Sequence, residues 1–191
     1  MKAISLTLAI ALVLIVPVAA GRGASEAVPG SGTIEYAFTP GGDAAALVIR
    51  ALGSAREAVY VQAFSFTHKD IAQALIDAQR RGVEVEVIAD ASQIELIAHN
   101  VVPMLAAAGV PVLVDDRHVS AHDKVMIIDP DTERPAVVTG SFNFTFAAQY
   151  RNAENLLILR GNRELARAYL ENWRRHRSHA SSYRSRRSED P

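Results

Sequence analysis

Beyond residue 33 the chain alternates short apolar runs with longer stretches in which apolar residues recur every three or four positions. The runs at 34–38 (IEYAF), 58–65 (AVYVQAFS), 83–89 (VEVEVIA), 110–114 (VPVLV), 124–129 (KVMIID), 136–140 (AVVTG) and 155–159 (NLLIL) read as strands. Helices fit 43–53, 70–81, 93–108 and 163–177. In 70–81, Ile71, Ala74, Leu75 and Ala78 form one stripe, and Gly82 supplies the stop. Pro103 splits or kinks the third helical stretch. The stretch VEVEVIAD starts in strict alternation, as a strand with one covered face does. Interleaved strands and helices predict an α/β fold, a mixed β-sheet flanked by helices on both faces.

The two ends differ from this body. Residues 1–20, MKAISLTLAIALVLIVPVAA, carry one lysine, an apolar run and then small residues, the pattern of a signal peptide. That predicts a periplasmic or secreted product. The competing reading is an uncleaved membrane anchor, since 3–20 is eighteen residues without a charge. Residues 21–33, GRGASEAVPGSGT, read as a flexible linker. The folded domain is expected over 34–178, with a loose basic tail over 179–191.

Composition narrows the chemistry. A chain of 191 residues suits one domain. The absence of cysteine excludes disulfides, thiolate metal sites and thiol nucleophiles. The net charge of −1 hides an uneven distribution, because nine arginines face four acids from Arg160 onward. At the end of the last helix such arginines oppose the helix dipole favourably. A solvated, well-capped helix end is the plain reading and phosphate contact the functional one.

The stretch from Ala121, AHDKVMIIDPDTERPAVVTGSFNFT, carries the chemistry. Side chains alternate faces along a strand, so His122 and Lys124 share one face and Asp123 points to the other. A lysine supplies fixed positive charge for phosphate oxygens, and an imidazole can attack phosphorus or move a proton. Ser141 and Asn143 likewise stand two apart, just after AVVTG, and offer donors to an anionic oxygen. If KVMIID and AVVTG pair as an antiparallel hairpin across 130–135, the start of one faces the end of the other. The four polar groups then converge.

With His122, Lys124 and Asp129 followed by Gly140, Ser141 and Asn143, the sequence resembles the phospholipase D superfamily. Its mark is His-x-Lys, then Asp after four residues, with Gly-Ser-x-Asn downstream. The segments AFTPGGDAAALVIRALGSA, VYVQAFSFT, RGVEVEVIAD, GSFNFT and RNAENLLIL extend the similarity to its small bacterial endonuclease branch, secreted nucleases with one motif per chain. The resemblance covers about Ile34 to Trp173 and implies the phospholipase D/nuclease fold. It also implies a homodimer with one site across the two-fold axis, because the chain carries a single motif copy. One His122 would attack phosphorus to give a phosphohistidine, and the partner's His122 would protonate the leaving oxygen. Lys124 and Asn143, helped by Ser141, would hold the non-bridging oxygens, with no metal or other cofactor required. The implied substrate is nucleic acid, DNA or RNA. The alternatives are a phospholipid phosphodiesterase at a membrane surface, favoured if the N-terminal segment stays as an anchor, and a binder without turnover.

Two carboxylates differ in their expected roles. Glu154, in RNAEN, matches the acid that bonds the catalytic imidazole in that branch, which would fix its tautomer. Asp129 completes the signature, but its strand parity places it with Asp123, away from the site. It reads as a structural turn or salt-bridge residue. The ten residues between Asp129 and Gly140 exceed the usual spacing, which a longer hairpin loop explains. Ala121 stands where close nucleases often have glutamine.

The other histidines read plainly: His68 at a helix start, His99 in a helix, His176 and His179 in the basic end, all as surface or cap residues. His118 could join a metal site with Asp115 or Asp116, a reading the resemblance to a metal-free family makes unnecessary. Phe64, Phe66, Phe142 and Phe144 read as core, and Ser65 as bordering the pocket.

Overall fold

The computed structural model describes residues 27–184. The expected signal peptide, residues 21–26 of the expected linker and the end of the tail lie outside the described residues, and the linker's last residue, Thr33, already belongs to the first strand.

The strands are β1 (Thr33–Thr39), β2 (Ala58–Ala63), β3 (Glu84–Asp90), β4 (Val112–Asp115), β5 (Lys124–Ile128), β6 (Ala136–Gly140), β7 (Glu154–Arg160) and β8 (Ser181–Ser182). They form one mixed sheet in the order β1-β7-β6-β5-β2-β3-β4-β8. The helices are α1 (Ala44–Ser54), α2 (Lys69–Arg80), α3 (Ala91–Leu96), α4 (Val102–Ala107), α5 (Phe146–Tyr150) and α6 (Arg163–Arg177). The expected α/β architecture is what forms. β2, β3 and β4 run parallel, joined by helical crossovers, and β5, β6 and β7 continue as an antiparallel meander.

Strand parity divides the core between the two faces. Val59 and Val61 of β2 and Met126 and Ile128 of β5 join α1, α2 and α4 in the larger cluster. Their neighbours Tyr60, Val125 and Ile127 face the other way, onto Leu170 and Trp173 of α6. Trp173 is buried, and its indole N–H donates to the Val61 carbonyl at 3.0 Å, so the ring packs against the sheet without stranding its polar atom. α6 is capped by Asn162, whose side chain accepts from the Leu165 N–H.

Local details differ from expectation in four places. The third helical stretch is two helices, as Pro103 suggests, but the break lies before Pro103, which occupies the first turn of α4, where its missing N–H costs nothing. His99 is therefore exposed in the turn between α3 and α4, outside any helix. α5 was not foreseen. It is one turn, started by Thr145, whose hydroxyl accepts from the Ala148 N–H. The segment after His179 does not trail loose at once, because β8 pairs with β4 and the Tyr183 N–H donates to the Val112 carbonyl.

Among the described residues, no helix is long and apolar enough to cross a membrane.

Candidate active site

β5 and β6 pair antiparallel, Met126 opposite Val138 and Ile128 opposite Ala136, so the hairpin brings the residues before β5 beside those after β6. The result is a polar pocket of about 420 Å³ lined by His122, Lys124, Gly140, Ser141, Asn143 and Glu154, with Asp123, Val125 and Thr139. All the expected site residues except Asp129 meet there.

The backbone on each side is held in place. Ahead of β5, the Ala121 N–H donates at 2.7 Å to Asp90, a buried carboxylate at the end of β3 that also caps α3 through Gln93. Asp90 thus fixes the segment that presents His122, a role its sequence position does not announce. After β6, the Ser141 and Phe142 N–H groups both donate to the Asn155 carbonyl at 3.1 Å. Gly140 permits this approach: its φ is +141°, and a Cβ there would run into the Asn155 carbonyl oxygen. Phe142 and Phe144, buried below the loop, anchor it in the core as expected.

Within the pocket, Lys124 is buried while His122 is exposed. The Lys124 Nζ donates to the His122 carbonyl at 2.6 Å and lies 2.9 Å from its Nδ1. Burial lowers the Lys124 pKa, opposed by the nearby charges of Asp123 and Glu154. An ammonium can only donate, so its hydrogen bond makes Nδ1 the acceptor and leaves the ring proton on Nε2. In this form the Nε2–H can donate a hydrogen bond, and Nε2 has no lone pair to offer. Phe64 closes the other side, its ring centroid 4.3 Å from that of His122 and 4.9 Å from the Lys124 Nζ. It is half-buried against the site and is not the core residue expected; Ser65 turns inward instead of bordering the pocket.

Glu154 departs from expectation. Its carboxylate accepts from the Ser141 hydroxyl at 2.6 Å and from Asn152 at 3.1 Å, and no bond joins it to His122 within the single chain. Each oxygen accepts one hydrogen bond and keeps a lone pair for a further donor. Ser141 in turn accepts from the Asn155 N–H at 3.0 Å, so its hydroxyl orients the carboxylate. The Asn143 Oδ1 is buried without a partner among the described residues, a polar atom available to a ligand.

Asp129 lies at the far end of β5 with φ +50°, where the chain leaves the strand. Its carboxylate accepts from the backbone N–H groups of Arg56, Glu57 and Ala58 at 2.8–3.1 Å, tying the start of β2 to the hairpin. It is a turn residue bonded to backbone, with no salt bridge among the described residues. The longer 130–135 turn sits at this same end, away from the pocket. Several of the C-terminal arginines are committed to acids: Arg160 to Glu35, Arg163 to Glu133 and Arg177 to Glu86.

Comparison with known proteins follows the same lines. A family model described as "Cardiolipin synthase, PLD-like domain" matches residues 48–177. The chain belongs to the phospholipase D superfamily. A Rickettsia felis protein named phospholipase D is 40% identical over 140 residues, covering 73% of this chain and 67% of that one. Mouse mitochondrial cardiolipin hydrolase is 32% identical over 128 residues, and the chain spans 55% of its length. Nuc from Salmonella typhimurium, a phospholipase D family member of known structure, superposes with a TM-score of 0.74 at 35% identity, covering 80% of this chain and 99% of that one. The protein is a phosphodiester hydrolase of this superfamily.

Proposed function

We propose that the protein is a nonspecific endonuclease that cleaves nucleic acid phosphodiesters through a phosphohistidine, without a catalytic metal, as a homodimer with one shared site. The observation that carries the substrate reading is coextension: the chain matches nearly the whole of Nuc but only about half of the cardiolipin hydrolase.

In the proposed reaction the His122 Nε2 lone pair of one protomer attacks phosphorus and the P–O bond to the leaving group breaks. The partner's His122, as imidazolium, gives its Nε2 proton to that oxygen and is left neutral. Water then attacks the phosphohistidine, the second imidazole takes the water's proton, and the P–N bond breaks. The hydrogen bond from Lys124 holds the resting neutral tautomer. Both working forms, the attacking imidazole and the imidazolium that protonates the leaving oxygen, need a proton on Nδ1 facing a carboxylate, and Glu154, one oxygen of which Ser141 holds in place, is the carboxylate in the pocket that would receive it. Lys124 and Asn143 then hold the non-bridging oxygens.

The dimer reading rests on the single motif and on an uncovered apolar face. Ile34, Tyr36 and Phe38 of edge strand β1 are more than 60% exposed and lie beside the half-buried Leu157 and Leu159 of β7. Phe146 and Tyr150 of α5 are exposed as well. Such a patch on an edge strand fits burial against a second copy. Export to the periplasm or beyond rests on residues 1–20.

A phospholipid substrate is the second reading, favoured by the names of the Rickettsia and mouse relatives. Side-by-side assays of plasmid DNA and phospholipid vesicles, in EDTA, decide between them. Plasmid cleavage with intact vesicles is the expected result, and the reverse refutes the nuclease reading. A phosphorylated His122 peptide, trapped during turnover and found by mass spectrometry, is expected in either case.

A further inference from the structure

Three histidines distant in sequence converge on one carboxylate outside the pocket. Asp115 ends β4 and is fully buried. His118 follows on the next loop, with Nδ1 3.2 Å from the Asp115 Oδ1. His176, in the last turn of α6, puts Nδ1 2.7 Å from Oδ2, and His179, just past the helix, puts Nε2 3.2 Å from Oδ2. One donor atom from each of the four side chains lies within 4.8 Å of every other.

We propose that Asp115, His118, His176 and His179 form a structural Zn²⁺ site. Three imidazoles and one carboxylate are a borderline-soft donor set of the right number for a tetrahedral zinc. Ligand atoms in such a sphere are roughly 3.3 Å apart, so the widest separation in the set needs to contract by about 1.5 Å.

Hydrogen-bond arithmetic at His176 favours an ion over a plain polar cluster. Its Nδ1 faces Asp115 while its Nε2 faces the Asp123 carboxylate at 4.0 Å. A neutral ring has one N–H, so satisfying Asp115 turns a lone pair toward Asp123. With the Nδ1 lone pair on a metal, the N–H is free for Asp123, the carboxylate partner that ligating imidazoles characteristically have. The competing arrangement is an imidazolium held between two carboxylates, with His118 and His179 as further donors to Asp115, and zinc binding separates the two. The side chain of His118 is 44% exposed, which gives an ion a way in.

The ion would join β4, the loop leading to His122, and the end of α6, next to where β8 returns onto β4. Its outer carboxylate, Asp123, lies between His122 and Lys124 in the chain. The role is structural and independent of what the pocket cleaves.

The test uses the untagged full chain, stripped with chelator, offered one equivalent of Zn²⁺ and dialysed. About one zinc per chain by elemental analysis, a melting temperature raised by roughly 5 °C or more, and intense tetrahedral d–d bands with Co²⁺ are expected. The His118→Ala/His179→Ala variant should bind Zn²⁺ roughly 100-fold more weakly and lose the melting shift, while its metal-free hydrolysis at 25 °C stays within about twofold of the parent. If that variant fails to fold, the exposed His118→Gln alone should weaken Zn²⁺ binding about tenfold. Substoichiometric zinc in the parent, no melting shift, or variants that bind as the parent does would each overturn the proposal.

Discussion

Two histidine sites flank the start of β5, and they use one side chain in opposite ways. On the even face, His122 stands exposed in an open pocket, and the side-chain hydrogen bond its ring makes is to a lysine. On the odd face, beyond Asp123, three imidazoles close around a buried carboxylate. The first ring keeps a nitrogen for a substrate, whereas the second group directs its donors at one another's centre. Over three consecutive residues the chain presents His122 and Lys124 to the pocket and Asp123 toward His176.

Substitutions on the pocket side should abolish chemistry and leave the other side untouched. His122→Asn is expected to lower kcat/KM by roughly 10³-fold or more on any phosphodiester, with an unchanged melting temperature. A near-native rate would remove His122 from the reaction.

Lys124→Met should cost roughly 10²–10³-fold in kcat. Its stability effect has a sign. Burial places the folded Lys124 pKa below its ordinary 10.5, so the charged form costs stability at neutral pH, and the cost fades as pH rises through the folded value toward 10.5. Thermal melts of the variant should therefore show no loss at pH 7, and any gain should shrink in alkaline buffer.

Ser141→Ala should lower kcat by about tenfold by freeing Glu154, with Thr restoring most of it; a change confined to KM would contradict the orienting role. The smallest effect is expected where the two sides meet. Asp123→Asn removes the carboxylate that faces His176 and should change hydrolysis by only about threefold. A loss as large as that of His122→Asn would mean that the two sites act as one.

Much of this was legible in the sequence because it depends on periodicity. All seven foreseen strands form, and parity with hairpin register suffices to gather His122, Lys124, Ser141 and Asn143. What escaped depends on long-range returns of the chain. The partner of Glu154 is set by where Ser141 and Asn152 fall in two loops, and the Asp90 tether reaches across 31 positions to Ala121. His176 and His179 look like helix-end cations until α6 and β8 carry them back to β4. Asp129 was rightly kept out of the pocket but for an incomplete reason, since its positive φ takes it out of strand alternation altogether.

The long turn between β5 and β6 opens an engineering route. Asp131, Glu133 and Arg134 are exposed there, at the opposite end of both strands from His122 and Asn143. A peptide tag or dye attachment point spliced into that turn would ride on the hairpin without meeting substrate, giving a reporter handle on an otherwise cysteine-free chain.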